Sequence, residues 1–91
     1  MKVKELLDSE EKWTQGHLSI DRFGNFTLPT DENAVRWCLV GAIQHCYHDS
    51  HTRTTICDKL LTLTGYSLTR FNDLHGRTFA EIRELIEKAD I

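Results

Sequence analysis

Apolar residues open the chain at Val3, Leu6 and Leu7, with Trp13 just beyond, a helical spacing that predicts a short amphipathic helix over residues 2–12. From Gln15 the period changes to two. Leu18 and Ile20, then Phe26 and Leu28, alternate with polar neighbours on either side of Asp21-Arg22-Phe23-Gly24-Asn25. This alternation predicts a β-hairpin over Gln15 to Leu28 with a turn of about three to five residues, in which Gly24-Asn25 supplies positive φ. A lone hairpin is marginal in water, so its apolar face is expected to lie on helices.

Pro29, Thr30, Asp31 and Glu32 then combine the signals of a helix start: a fixed φ, an N-cap hydroxyl and two acids at the positive end of the dipole. Behind them Val35, Cys38, Leu39, Ala42 and Cys46 form one stripe, which Ala34, Trp37, Gly41 and Ile43 widen almost round the cylinder. A central buried helix over about 31–47 is expected, with Gly41 admitting a neighbouring backbone. Ile56, Cys57, Leu60, Leu61 and Leu63 predict a third helix within Asp49–Leu63, capped by Ser50, Thr52 or Thr54 and closed by Gly65. A single helical turn from Ser67, with Leu68 and Phe71 inward, precedes a last helix. That helix carries a Thr78-x-x-Glu81 capping box and the apolar series Phe79, Ile82, Leu85, Ile86 and Ala89. The expected architecture is α+β, mainly α: four to five helices around a central buried helix with one β-hairpin, in a single domain spanning residues 1–91.

Ninety-one residues and 10.6 kDa leave room for one core, which excludes most large catalytic folds. Cations and anions number four and five in residues 1–30, three and four in 31–60, and four and five in 61–91. With no basic face, non-specific nucleic-acid binding is disfavoured, and a net charge of −3 is too diffuse for a DNA mimic. Cys38, Cys46 and Cys57 are odd in number and lack framework spacing, so a reducing cytoplasmic setting is expected. The start of the chain lacks an apolar leader, and its longest apolar run is too short to span a bilayer; no membrane association is expected.

Four groups of residues could carry chemistry. Asn72-Asp73-Leu74-His75-Gly76-Arg77-Thr78 leads into the last helix and holds the parts of a small anion site: free N–H groups, a close-approach glycine, an Arg and a hydroxyl. Its residues are equally suited to structural work, with Thr78 and Glu81 capping the helix, Asp73 pairing with Arg77 and Asn72 making an Asx-turn. Trp13-Thr14-Gln15-Gly16 could stack on and hydrogen-bond a planar ligand, or Trp13 could anchor the first helix to the hairpin. Cys38 with a histidine and Asp73 suggests a thiol hydrolase, but two turns inside a helix and on its apolar stripe it reads better as a small core residue. His45, His48 and His51, with Cys46 and Cys57 nearby, lack the usual paired zinc spacings and read as a solvated helix end, so neither a metal nor another cofactor is expected.

Three stretches taken in order are more specific: Trp13-Thr14-Gln15-Gly16, Ala34-Val35-Arg36-Trp37-Cys38-Leu39-Val40-Gly41-Ala42, and Asn72 to Ile82. They resemble an uncharacterised family, a domain of unknown function, of small bacterial and phage proteins with W-T-Q-G, A-V-x-W-C-x-x-G-A and N-D-x-x-G-R-T-x-A-E motifs. The likeness spans nearly the whole chain and is weakest over residues 45–65, whose histidines lie outside the pattern. It implies a shared fold and a shared polar surface, and it brings forward Trp13, Thr14, Gln15, Asn72, Asp73, Arg77 and Thr78 as ligand-binding residues whose motifs could meet in space. The expectation is a non-enzymatic, phage-associated binding protein that captures a small anionic, nucleotide-like ligand or blocks a host defence protein, by analogy with small phage proteins of this size. A minimal hydrolase using Cys38 or Asp73 and a homo-oligomeric interaction module are the alternatives.

Overall fold

Val3, Leu6 and Leu7 are all buried in the computed structural model, which describes residues 1–91. The helix they form, α1, covers only Val3–Leu6. Asp8-Ser9, residues that compete for backbone hydrogen bonds, interrupts the expected longer helix, and a 3-10 turn follows at Glu10–Lys12. The N-terminal segment is tied to the end of the chain: Lys4 N–H donates to the Ile91 carbonyl at 3.1 Å, and the Arg83 guanidinium donates to the carbonyls of Lys4 and Leu7 at 2.6 and 3.2 Å.

Strand β1 (Ser19–Ile20) runs antiparallel to β2 (Arg36–Trp37), with Ser19 opposite Trp37 and Ile20 opposite Arg36. Single bridges add Phe26 beside Ile20 and Trp13 beside Trp37, so β1 lies between the Phe26 segment and β2. The expected hairpin forms around a three-residue loop. Asp21 N–H donates to the Asn25 carbonyl (2.9 Å), Gly24 N–H donates to the Asp21 carbonyl (3.0 Å), and Gly24 sits at φ 84°. Its polarity is the reverse of the expectation, however. Ser19 and Trp37 face the core, whereas Phe26 and Leu28 are 58% and 64% exposed. The Ser19 hydroxyl is satisfied inside by the Thr27 hydroxyl and carbonyl at 2.7 and 2.8 Å, which makes its burial tolerable.

The central helix starts later than the sequence suggests. Thr30 is not its cap: residues 28–34 form consecutive turns held by Asp31, whose carboxylate accepts from Asn33 N–H at 2.7 Å. Val35-Arg36-Trp37 is drawn into the sheet, where Val35 N–H donates to the Ile20 carbonyl (2.9 Å) and the Trp37 indole N–H to the Pro29 carbonyl (2.9 Å). These residues favour strands, and pairing with β1 overrides the local helix signals. Helix α2 is Leu39–Cys46, with Leu39 and Ala42 fully buried and Ile43 nearly so. At Gly41 the expected close approach is present: a Cβ there would lie 1.8 Å from the Leu18 carbonyl oxygen.

Helix α3 (Ser50–Thr64) is capped by Asp49, not by Ser50, Thr52 or Thr54; its carboxylate accepts from the Thr52 N–H and hydroxyl at 2.8 and 3.0 Å. Only Leu60 of this helix is fully buried, and Gly65 ends it in the left-handed conformation. Helix α4 (Leu68–Asp73) starts at Ser67 as expected, and α5 (Phe79–Ala89) has the capping box of Thr78 and Glu81 with Ile82, Leu85, Ile86 and Ala89 buried. The architecture is thus α+β, mainly α, with five helices and a small antiparallel sheet. No helix is long and apolar enough to cross a membrane.

Candidate functional site

Asn72, in the last turn of α4, is completely buried, and every polar atom of its amide is used. Its Oδ1 accepts from the Trp13 indole N–H at 2.8 Å and from the Leu39 backbone N–H at 3.0 Å. Its Nδ2 donates to the Thr14 carbonyl at 3.1 Å and to Asp73 Oδ1 at 2.8 Å. Asp73 Oδ1 also accepts from Gly16 N–H at 3.0 Å, and Gln15 Nε2 donates to the carbonyls of Asn72 and Leu74 at 2.8 and 3.2 Å. Two motifs nearly sixty residues apart therefore meet, along with the start of α2. The polar atoms of Trp13, Thr14, Gln15, Asn72 and Asp73 named here all point at one another or at backbone, so what they form is a knot joining three segments, buried at Trp13 and Asn72 and exposed at Gln15 and Asp73.

Arg77 and Thr78 turn to other partners. Thr78 caps α5, its hydroxyl accepting from Glu81 N–H (3.3 Å) while Glu81 Oε1 accepts from Thr78 N–H (2.9 Å). The bond from Thr78 N–H, with those from the Thr78 hydroxyl and Arg77, holds the Glu81 carboxyl below its ordinary pKa. The anion position at the start of α5 is thus filled by the chain's own carboxylate. Arg77, only 10% exposed at its side chain, lies 3.8 Å above the Phe71 ring. It donates through Nε to the Phe71 carbonyl (2.8 Å), through Nη1 to Glu81 (2.8 Å) and through Nη2 to the Tyr66 hydroxyl (2.7 Å).

Three of the five guanidinium N–H groups are used in this way, and the Tyr66 hydroxyl, which accepts from Arg77, keeps its own proton to give. Both face a groove of about 370 Å³ between α3, α4 and α5, whose walls include Phe71, Glu81, Glu84 and Lys88 with Leu63 and Leu85 as apolar ground. Motif spacing and periodicity do not mark Tyr66, Phe71 and Lys88 as site residues. The one sequence signal for Tyr66 is an aromatic placed directly after the Gly65 helix end.

Cys38 is the N-cap of α2, with Sγ accepting from Gly41 N–H at 3.3 Å, so it sits at the positive pole of that helix and not two turns inside one. Burial nevertheless dominates and raises its thiol pKa. A pocket of about 150 Å³ beside it is shared with His17, Thr69 and Asp73. The histidines of residues 45–51 do not share a helix face, because α2 ends at Cys46. His45 donates through Nδ1 to the Pro29 carbonyl (2.7 Å), and His48 through Nε2 to the His45 carbonyl (3.0 Å). No group of three or more His, Cys, Asp or Glu side chains is gathered closely enough to hold a metal ion.

No curated protein and no solved structure matches the chain. A family model, described as a family of unknown function, matches residues 1–90, the whole chain but for Ile91. The protein belongs to that family, DUF6197.

Proposed function

We propose that this is a small non-enzymatic binding protein that captures a nucleotide-like anion in the groove between α3, α4 and α5. The observation that carries the reading is Arg77: a nearly buried guanidinium, stacked on Phe71 and braced by Tyr66, with N–H groups to spare at the wall of a groove of ligand size. Arg77, Tyr66 and Lys88 supply donors for a phosphate or carboxylate. Glu84 can accept from an amino or hydroxyl group, and Leu63 and Leu85 offer an apolar bed, a combination that suits a nucleotide better than a bare anion. In this reading Arg77 touches the ligand, Thr78 holds Glu81 in place, and the knot of Trp13, Thr14, Gln15, Asn72 and Asp73 fixes the end of α4, which carries Phe71.

A hydrolase centred on Cys38 or Asp73 has less support, because burial suppresses the thiolate and Asp73 Oδ1 already accepts two N–H groups. Three free thiols suit a reducing cytoplasm, and sequestering a nucleotide signal there would serve a phage facing host defence. Isothermal titration with a panel of linear and cyclic nucleotides tests the reading, using Tyr66→Phe and Lys88→Ala because both positions are accessible enough to spare the fold. Heat of binding in the wild type, weakened roughly five-fold or more by either change, is expected from the loss of a bond worth about 1 kcal/mol. Absence of heat at millimolar ligand across the panel overturns it.

A further inference from the structure

The outer edge of the small sheet is open. At the bridge between Ile20 and Phe26 the flanking bonds run from Thr27 N–H to the Ser19 carbonyl (3.1 Å) and from Asp21 N–H to the Asn25 carbonyl (2.9 Å). Antiparallel alternation therefore turns the N–H and C=O of Phe26 away from β1, and neither has a partner within the chain; Leu28 N–H is likewise free. Edge strands of stable monomers are ordinarily blunted by charge, proline or a covering element. Here the edge carries Phe26 and Leu28, on one face and largely exposed, with Phe23 74% exposed in the adjoining loop. Asn25 and Thr27, their immediate neighbours, are uncharged.

We propose that this edge pairs with the same edge of a second copy of the chain, antiparallel, about a two-fold axis at Phe26. The free groups are self-complementary under that operation. Each Phe26 N–H reaches the Phe26 carbonyl of the other copy, forming the hydrogen-bonded pair of an antiparallel ladder, and both donors and both acceptors are satisfied at once. The Leu28 carbonyl is already occupied by Asp31 N–H (2.9 Å), which limits the ladder to its centre and leaves no further acceptor unpaired there. Phe26 and Leu28 of the two copies then form one apolar strip, and no like charges are brought opposite one another in residues 25–28. An isologous contact of this kind closes on itself and so does not propagate into fibres. It is smaller than the roughly 800 Å² per partner of a standard interface, so a weak dimer, populated at high micromolar concentration, is the expected form.

Sedimentation equilibrium from about 10 to 500 µM, with amide exchange at the two ends of that range, tests the pairing. The wild type is expected to rise from the 10.6 kDa of one chain towards twice that mass, with Phe26 N–H protected only at the high end. Phe26→Lys places charge on the edge and is expected to remain monomeric throughout. Phe26→Pro removes the same N–H, which has no bond to lose within the chain, and is expected to do likewise. An unchanged melting temperature in Phe26→Lys shows that association, and not folding, was removed. A wild type that stays at one chain's mass at 500 µM overturns the proposal, as does a folded Phe26→Lys variant that associates as well as the wild type.

Discussion

Asn72 is the residue whose loss should be felt most. In Asn72→Ala the Trp13 indole N–H and the Leu39 N–H, both buried, lose their shared acceptor, and the Thr14 carbonyl loses a donor. Each stranded buried donor costs roughly 1–3 kcal/mol, so the two together cost about 4 kcal/mol. A 91-residue domain has on the order of 5–14 kcal/mol of stability in all, so this substitution removes a large share of it. At roughly 4–8 °C per kcal/mol for a domain of this size, Tm should fall by about 15–30 °C. Trp13→Phe strands no donor and leaves Asn72 Oδ1 with its Leu39 bond, so it should cost about 1 kcal/mol. Combined with Asn72→Ala it should be far from additive, with a coupling above about 0.5 kcal/mol.

Asn72→Asp separates hydrogen bonding from volume. The carboxylate still accepts from Trp13 and Leu39, but it cannot donate to the Thr14 carbonyl and it places a second negative charge against Asp73 Oδ1. Burial and that neighbour raise the new carboxyl's folded pKa above its unfolded value, so the variant should gain stability relative to the wild type as pH falls from 7 towards 5. Urea unfolding of the wild type, the three single variants and the double variant at both pH values supplies the comparison. An Asn72→Ala protein within about 1 kcal/mol of the wild type, or an Asn72→Asp protein with no relative gain on acidification, would refute the knot as a source of stability.

Gly41→Ala should be severely destabilising despite a helix propensity gain of about 1 kcal/mol, because the added Cβ would lie 1.8 Å from a backbone oxygen; a loss of about 3 kcal/mol or more in chemical denaturation is expected. The thiols should alkylate slowly at pH 8, since burial raises Cys38 and Cys57 and pushes Cys46 up to about 11. Labelling by iodoacetamide followed by mass spectrometry should show all three lagging a free cysteine, and a fast-reacting Cys38 would contradict its burial. Wild-type stability should hold from neutral pH down to about pH 5 and then decline. Asp21, Asp49, Glu81 and Asp90 all titrate below their ordinary values, held by bonds from Asn25, Thr52, Thr78 and Lys4 respectively, so each contribution is present above the unfolded pKa and lost as pH falls through the lowered folded one. Thermal melts at half-unit intervals from pH 7 to pH 2.5 would reveal it.

Helix α5 was readable because everything that specifies it is local: a hydroxyl, a glutamate three residues on, and an apolar repeat whose partners need only be some core. The stretch from Pro29 to Trp37 meets the same local rules and still does not form a helix. Its outcome is decided by groups far away in the chain, namely the Ile20 carbonyl that takes Val35 N–H and the strand opposite Trp37. The hairpin's reversed polarity has a similar origin. Gly41 lets the Leu18 backbone lie directly on α2, which leaves Ser19 inward with a hydroxyl partner at Thr27, and period-two alternation contains no sign of that contact. The same non-local logic separates the two polar motifs. Gln15, Asn72 and Asp73 are residue types that a core does not require, and for that reason they read, with Trp13 beside them in the motif, as binding residues. Their bonding ties them into the topology, Asn72 above all, since α4 has no other buried polar link to the start of α2 than the Asn72 amide. Arg77 keeps N–H groups in reserve after bracing the fold, and that surplus, invisible until Phe71, Tyr66 and Glu81 are placed around it, is what moves the proposed site from the knot to the groove.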